Sequence, residues 1–176
     1  ARRRRGAAGV SEEQPLERGA RLCVDVGSVR VGVAVSDPDG LIATPVETLA
    51  RDLVTATKNP AAVPADLAVL AEQVVERGVK VVYVGLPRHL SGAEGAASES
   101  ARAYAVQVAR LVAPVPVRLV DERMSTVSAH QALHASGRAG RKHRAVVDQV
   151  AAVVILQSAL DFERGSQRRP GELVEA

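Results

Sequence analysis

Aromatic residues are scarce in this chain: its 176 residues include no tryptophan, two tyrosines and one phenylalanine. Tyr83, Tyr104 and Phe162 offer little surface on which unpaired bases could stack. Any nucleic acid would therefore be recognised through backbone shape and charge. There is a single cysteine, Cys23, which excludes an internal disulfide framework and fits a reducing, cytoplasmic setting. It lies in an apolar, strand-like segment and reads as a small core residue rather than a nucleophile. Long apolar runs are missing too. In the last helical segment the stretch without a charge, Gln149 to Leu160, is too short and too polar at its ends to cross a bilayer. The basic N-terminal stretch is followed by no apolar segment and does not read as a secretory signal. Acids are absent from Met124 to Val147, where Arg138, Arg141, Lys142 and Arg144 gather with His130, His134 and His143. A patch of that sign suits a polyanion.

What is present is the composition of one ordinary globular domain, 47% hydrophobic and 24% charged. The four arginines Arg2–Arg5 exceed the whole net charge of +3, so the remainder is slightly acidic. Residues 1–20 read as a basic tail without structure, 21–162 as a single domain, and 163–176 as a second unstructured tail. Two β-branched runs, Arg21 to Val26 and Val29 to Val35, are joined by Gly27-Ser28 and predict a hairpin. Leu41 to Leu49 reads as a third strand, with Pro45 placing it at an edge, and residues 51 to 63 as a loop. Asp66 to Arg77 has helical periodicity and closes at Gly78. Val79 to Leu86 is nearly all apolar, as a central parallel strand should be. Ser98 to Val112 predicts a helix and Val115 to Val120 a fifth strand. Ser125 to Ala135 reads as a short helix, and Arg141 to about Asp161 as the last and longest. Three meandering strands followed by helix, strand, helix, strand and helices is the layout of a ribonuclease H-like α/β fold. That fold is a five-stranded mixed sheet flanked by helices.

Within this frame three acids stand where acids are hard to keep. Asp25 is inside a core strand, and an unpaired carboxylate there is costly to bury. Asp121-Glu122 follows the strand ending at Val120, at the edge where open α/β sheets bind ligands. The milder reading is that one of these two acids helps to start the next helix, capped by Ser125 or Thr126. Asp148 and Gln149 are the polar residues in the apolar stretch from Ala145 to Leu156. In helical steps Asp148 joins the stripe of Ala145, Ala152, Ile155 and Ala159, with Arg141 and Arg144 toward the amino end. Its milder reading is an ion pair with Arg144 or Arg141. Three such acids together favour a metal-dependent site. His130-Gln131-Ala132-Leu133-His134 has the spacing of a zinc helix but lacks its acid, so surface or RNA-facing histidines are the stronger reading.

These segments resemble the YqgF (RuvX) family. Asp25 to Ala34 with Ser36-Asp37 is similar to its opening motif, and Val84-Gly85-Leu86-Pro87 with Gly92 to its second. Asp121-Glu122-Arg123-Met124-Ser125-Thr126 resembles the third, and Val147 to Ala152 with Ile155-Leu156-Gln157 the last. The resemblance covers roughly residues 21 to 162. Val29 stands where a lysine is common, and Arg88-His89 replaces an apolar-asparagine pair.

The resemblance implies a metal-dependent nuclease, similar to Holliday junction resolvases and associated with maturing the 5′ end of 16S ribosomal RNA. It implies Asp25, Glu122 and Asp148 as catalytic acids holding Mg²⁺ or Mn²⁺, with Asp121 a rival for the place of Glu122. Oxygen ligands fit these hard cations. It further implies Arg30, Arg123, Ser125, Thr126, Arg141, Lys142 and Arg144 as substrate-binding residues. The partner would be nucleic acid, either precursor rRNA or branched DNA, with no membrane and, for a junction, a homodimer. A non-catalytic nucleic-acid-binding module stays open beside these readings. The Asp25-Val26-Gly27-Ser28 turn also resembles the phosphate loop of actin-like ATPases, but those need two related halves and this chain supplies one.

Overall fold

The computed structural model describes residues 15–125 and 141–176. β1 (Ala20–Val26) and β2 (Arg30–Ser36) form the hairpin expected at Gly27-Ser28, where the Gly27 N–H donates to the Arg30 carbonyl at 2.8 Å. β3 (Ala43–Ala50) continues the meander and is an edge strand, as Pro45 requires. α1 (Leu53–Lys58), α2 (Ala65–Glu76), β4 (Val79–Leu86), α3 (Ala96–Val112) and β5 (Val117–Asp121) follow. A 3₁₀ turn (Glu122–Ser125), helix α4 (Arg141–Ser166) and β6 (Glu172–Leu173) complete the described chain. The strands lie in the order β3-β2-β1-β4-β5-β6. β4 is parallel to both β1 and β5, and the other pairings are antiparallel. Among the described residues no helix is long and apolar enough to cross a membrane.

The period of two in each strand divides the core into two layers. Leu22, Val24, Val82, Val84 and Leu119 pack on one face with Leu67, Leu70 and Val74 of α2 and Tyr104 and Val108 of α3. Cys23, Val81, Tyr83 and Val120 face the other way, onto Ala152, Ile155, Leu156 and Ala159 of α4. The parity of each strand therefore decides which side chains meet α4.

Three expectations need correction. Among the described residues the sheet has six strands, where five were expected. The tail from residue 163, read as unstructured, is ordered: α4 runs to Ser166 and β6 pairs with β5. A two-residue strand carries no periodicity of its own. It is held by Arg118, which donates to the carbonyls of Pro170 (2.8 Å) and Gly171 (2.7 Å). Gly171 has φ +80°, a conformation that other residues resist. Residues 51 to 63, read as a loop, contain α1, whose N-terminus is capped by Asp52 accepting from the Thr55 N–H at 2.9 Å. Expectations for Thr126 to Ala135, including the short helix, His130 and His134, lie outside the described residues.

The helical pattern fades at Asp161 because Glu163 breaks it. Glu163 is buried and bridges Arg21 (2.9 Å) and the Tyr83 hydroxyl. Replacing Arg21 with methionine should therefore cost about 3–5 kcal/mol, the usual result of stranding a buried charge. Changing Glu163 to an apolar residue as well should recover much of it. Urea melts of the single and double variants measure this, and equal losses in both would show that the pair is not the cause.

Candidate active site at the carboxyl ends of the parallel strands

Parity brings two of the three acids together. Asp25 follows Cys23 on the α4 face of β1, and Glu122 follows Val120 on the same face beyond β5. Between them lies β4, whose Gly85 also faces α4. A Cβ on Gly85 would stand 2.7 Å from a Glu122 carboxylate oxygen and 2.9 Å from the Ile155 methyl. The glycine is thus the space into which Glu122 reaches. The carboxyls of Asp25 and Glu122 lie within hydrogen-bonding reach of one another. Burial, reinforced by the Asp148 charge, pushes Asp25 up to about 6. Burial and the neighbouring Asp25 charge push Glu122 up to about 7. Cys23, one step deeper, is wholly buried, and burial first and the two acids second hold its thiol well above the usual range. It is inert core, as expected.

Asp148 reaches this place because of a second glycine. Gly32 is the cross-strand partner of Asp25. A Cβ there would fall well inside contact distance of the Asp148 main-chain carbonyl. Only glycine lets α4 lie that close to β2. The Asp148 side chain accepts from Arg30 Nε at 2.9 Å and is half-buried. Its described ion pair is therefore with Arg30, while the side chains of Arg141, Lys142 and Arg144 lie outside the description, as do Thr126 and the side chains of Ser125 and His143. Among the described residues no three His, Cys, Asp or Glu side chains form a ready metal cage. Asp25 and Glu122 touch, and Asp148 acts on Asp25 through its charge.

Asp121 has the opposite parity and a different environment. It accepts from the Arg123 main-chain N–H at 2.9 Å and from the Arg123 guanidinium at 2.6 Å. Arg123 holds its carboxyl below the usual range. Arg30 and Arg123 each sit on an acid within this cluster. Sequence reasoning missed the part played by Gly32 and Gly85, although a glycine inside a strand signals a close backbone approach. Arg88, which the sequence marked with His89 as a departure that could alter substrate contacts, extends from the end of β4 toward Asp121.

The donor set suits a hard divalent cation. Two carboxyls pressed into one half-buried place, sharing a proton to relieve repulsion, would bind such a cation in the proton's stead. The same pair makes the metal-free protein pH-sensitive. Because the folded state holds these protons more tightly than the unfolded chain, stability falls as pH rises from the ordinary carboxylate range through about 7. Melting in EDTA from pH 5 to 8 should show this fall, and Glu122→Gln should reduce it. A variant with the wild-type pH profile would remove the pair as its source.

Relatives share nearly the whole chain. A protein of Streptomyces avermitilis is 53% identical over 162 residues, spanning 91% of this chain and 97% of that one. One from Thermobifida fusca is 49% identical over 167 residues, spanning 91% and 98%. Both bear the description "putative pre-16S rRNA nuclease". Among solved structures, Thermus thermophilus RuvC in complex with a Holliday junction substrate superposes with TM-score 0.51 at 15% identity. It covers 86% of this chain and 99% of that one, and the likeness is one of fold, the ribonuclease H-like sheet. Residues 19–162 match the RuvX family, described as Holliday junction resolvase. With that match and relatives at about half identity over nine-tenths of its length, the chain belongs to the RuvX family.

Proposed function

We propose that this protein is a metal-dependent nuclease that hydrolyses phosphodiester bonds in precursor 16S rRNA, with Asp25, Glu122 and Asp148 as its catalytic acids. The observation that carries the reading is the hydrogen-bonded Asp25–Glu122 pair at the strand ends, a charge arrangement that favours a bound cation. Mg²⁺ or Mn²⁺ held there would supply an activated water and neutralise charge on the phosphate. Asp25 and Glu122 would hold the ion, and Asp148, brought over Gly32, would complete the set. Arg30 keeps a guanidinium beside the acids, where it can meet a phosphate oxygen. Arg123, Ser125, Thr126, Arg141, Lys142 and Arg144 would extend that contact along the backbone. The names of the relatives support the RNA substrate.

Branched DNA is the second reading, favoured by the description of the family. A cleavage assay on precursor 16S RNA and on a four-way DNA junction, each with Mn²⁺ and with EDTA, separates the two. Metal-dependent trimming of the RNA is the expected result. Cleavage of the junction alone would transfer the reading to DNA, and cleavage of neither would leave a binding module.

A further inference from the structure

The segment between β4 and α3 is braced to an unusual degree for a loop at a site edge. The His89 N–H donates to the Ala93 carbonyl at 2.9 Å and the Gly92 N–H to the His89 carbonyl at 2.8 Å. The Ser98 hydroxyl donates to the Pro87 carbonyl and accepts from the Gly95 N–H at 3.3 Å. Gly92, at φ +87°, lets the loop turn against the Arg123 guanidinium, which would lie 3.3 Å from a Cβ there.

This frame fixes one side chain. Arg88 forms an ion pair with Glu94, Nη2 to carboxylate oxygen 3.0 Å, and its Nε stands 3.9 Å from Asp121, too far for a hydrogen bond. That Nε is buried and, among the described residues, has no hydrogen-bond partner. Buried donors are rarely left so, and it is the exposed part of this guanidinium, not Nε, that a ligand can meet. Glu94 is itself fixed by Arg102, which holds both of its oxygens at 2.8 Å and reaches Glu172 of β6 at 3.0 Å. Asp121 is already engaged by Arg123. The acids are thus occupied, and the guanidinium of Arg88 is oriented but incompletely satisfied. Its position is set by β4, since Gly85 backs Glu122 and Leu86 pairs with Asp121. Arg88 therefore emerges at the same sheet edge as the acid pair, with 29% of its side chain exposed.

We propose that Arg88 is a substrate-binding residue that grips a backbone phosphate beside the scissile bond, with Glu94 and Asp121 as the positioning residues that hold its guanidinium. The proposal rests on the nuclease reading above for the word scissile, but not for the phosphate contact. A rigid planar donor fork suits a phosphate, and the bracing reduces the rotamer entropy lost when it binds.

The test is binding of the full chain to a short RNA and to a four-way DNA junction over a KCl series, in the Asp25→Asn background so that nothing is cut. Arg88→Gln should weaken binding several-fold and lower the logarithmic salt slope by about 0.7 to 0.9, the value of one phosphate contact. Arg88→Lys should keep the slope, because the charge remains, while losing part of the affinity, because the fork is gone. Melting curves of both variants report the fold, and should Arg88→Gln fail to fold, Arg88→Lys alone still decides the matter. An unchanged slope in Arg88→Gln, or full affinity in Arg88→Lys, overturns the proposal. Cleavage that persists in Asp25→Asn with Mn²⁺ would instead remove Asp25 from the catalytic acids and leave the salt slopes to judge Arg88.

Discussion

Asp25→Asn is expected to lower cleavage by more than about a hundredfold while leaving nucleic-acid binding intact. Groups one shell away from a metal already carry 10–100-fold, so an acid that holds the ion directly should carry more. Asparagine keeps the size and can still hydrogen-bond to Glu122, but it removes the charge that would attract the cation. The same change should make the metal-free protein more stable at pH 8, because it removes one of the two mutually repelling acids. Cleavage, binding and melting on one preparation separate the effects. Wild-type cleavage in this variant would remove Asp25 from the catalytic acids. Cleavage lost together with binding and with the fold would show Asp25 to be structural only.

Gly32→Ala should produce a large effect for a single methyl group. The added Cβ would overlap the main-chain carbonyl of Asp148, and no side-chain rotation can relieve a clash with backbone. Overpacking of this kind costs about 1–3 kcal/mol and sometimes more. The strain would be relieved by lifting α4 from β2, which carries Asp148 away from Asp25. Cleavage should therefore fall further than the loss of stability explains. Gly165, in the same helix, is the control: a Cβ there meets nothing within 4 Å. Gly165→Ala should raise stability by about 0.5–1 kcal/mol, the usual gain in a helix. Urea melts and cleavage rates check both. A Gly32→Ala protein with unaltered melting and rate would mean that α4 does not need this close approach.

The two glycines show how the same residue type hides and reveals its purpose. Gly32 and Gly85 interrupt apolar strands, which marks a close contact, but what approaches each one is not visible in a strand. The answer, the α4 backbone in one case and a Glu122 carboxylate in the other, comes from elements far away in the chain. Acids pose a similar difficulty. Asp66 and Glu163 are more buried than Asp25, yet each meets donors: the Tyr104 hydroxyl and the Asp52 N–H for Asp66, Arg21 and Tyr83 for Glu163. Neither was singled out in the sequence, because Asp66 read as a helix start and Glu163 fell in a presumed tail. What distinguishes Asp25 and Glu122 is that the carboxyls meet each other.

The order of β1 to β5 with α2, α3 and α4, the hairpin at Gly27-Ser28, the edge position of β3 and the inertness of Cys23 were all legible from the sequence. Each follows from local rules of periodicity, turn chemistry and proline geometry that act over a few residues. The direction of the two adjacent acids was decided only by the tertiary structure. The 3₁₀ turn after β5 sends Glu122 toward α4 and Asp25, while Asp121 turns to Arg123. Tertiary contacts likewise decided the ordered C-terminus, since β6 has no pattern of its own and exists because Arg118 and the edge of β5 accept it. The partner of Asp148 belongs with these. Arg30, 118 residues earlier, lies on it through the packing of α4 across β2, while the side chains of Arg144 and Arg141, suggested by helical spacing, lie outside the described residues. Local order is encoded in neighbours along the chain, but the charge state of a site depends on which distant groups share its small volume of low dielectric.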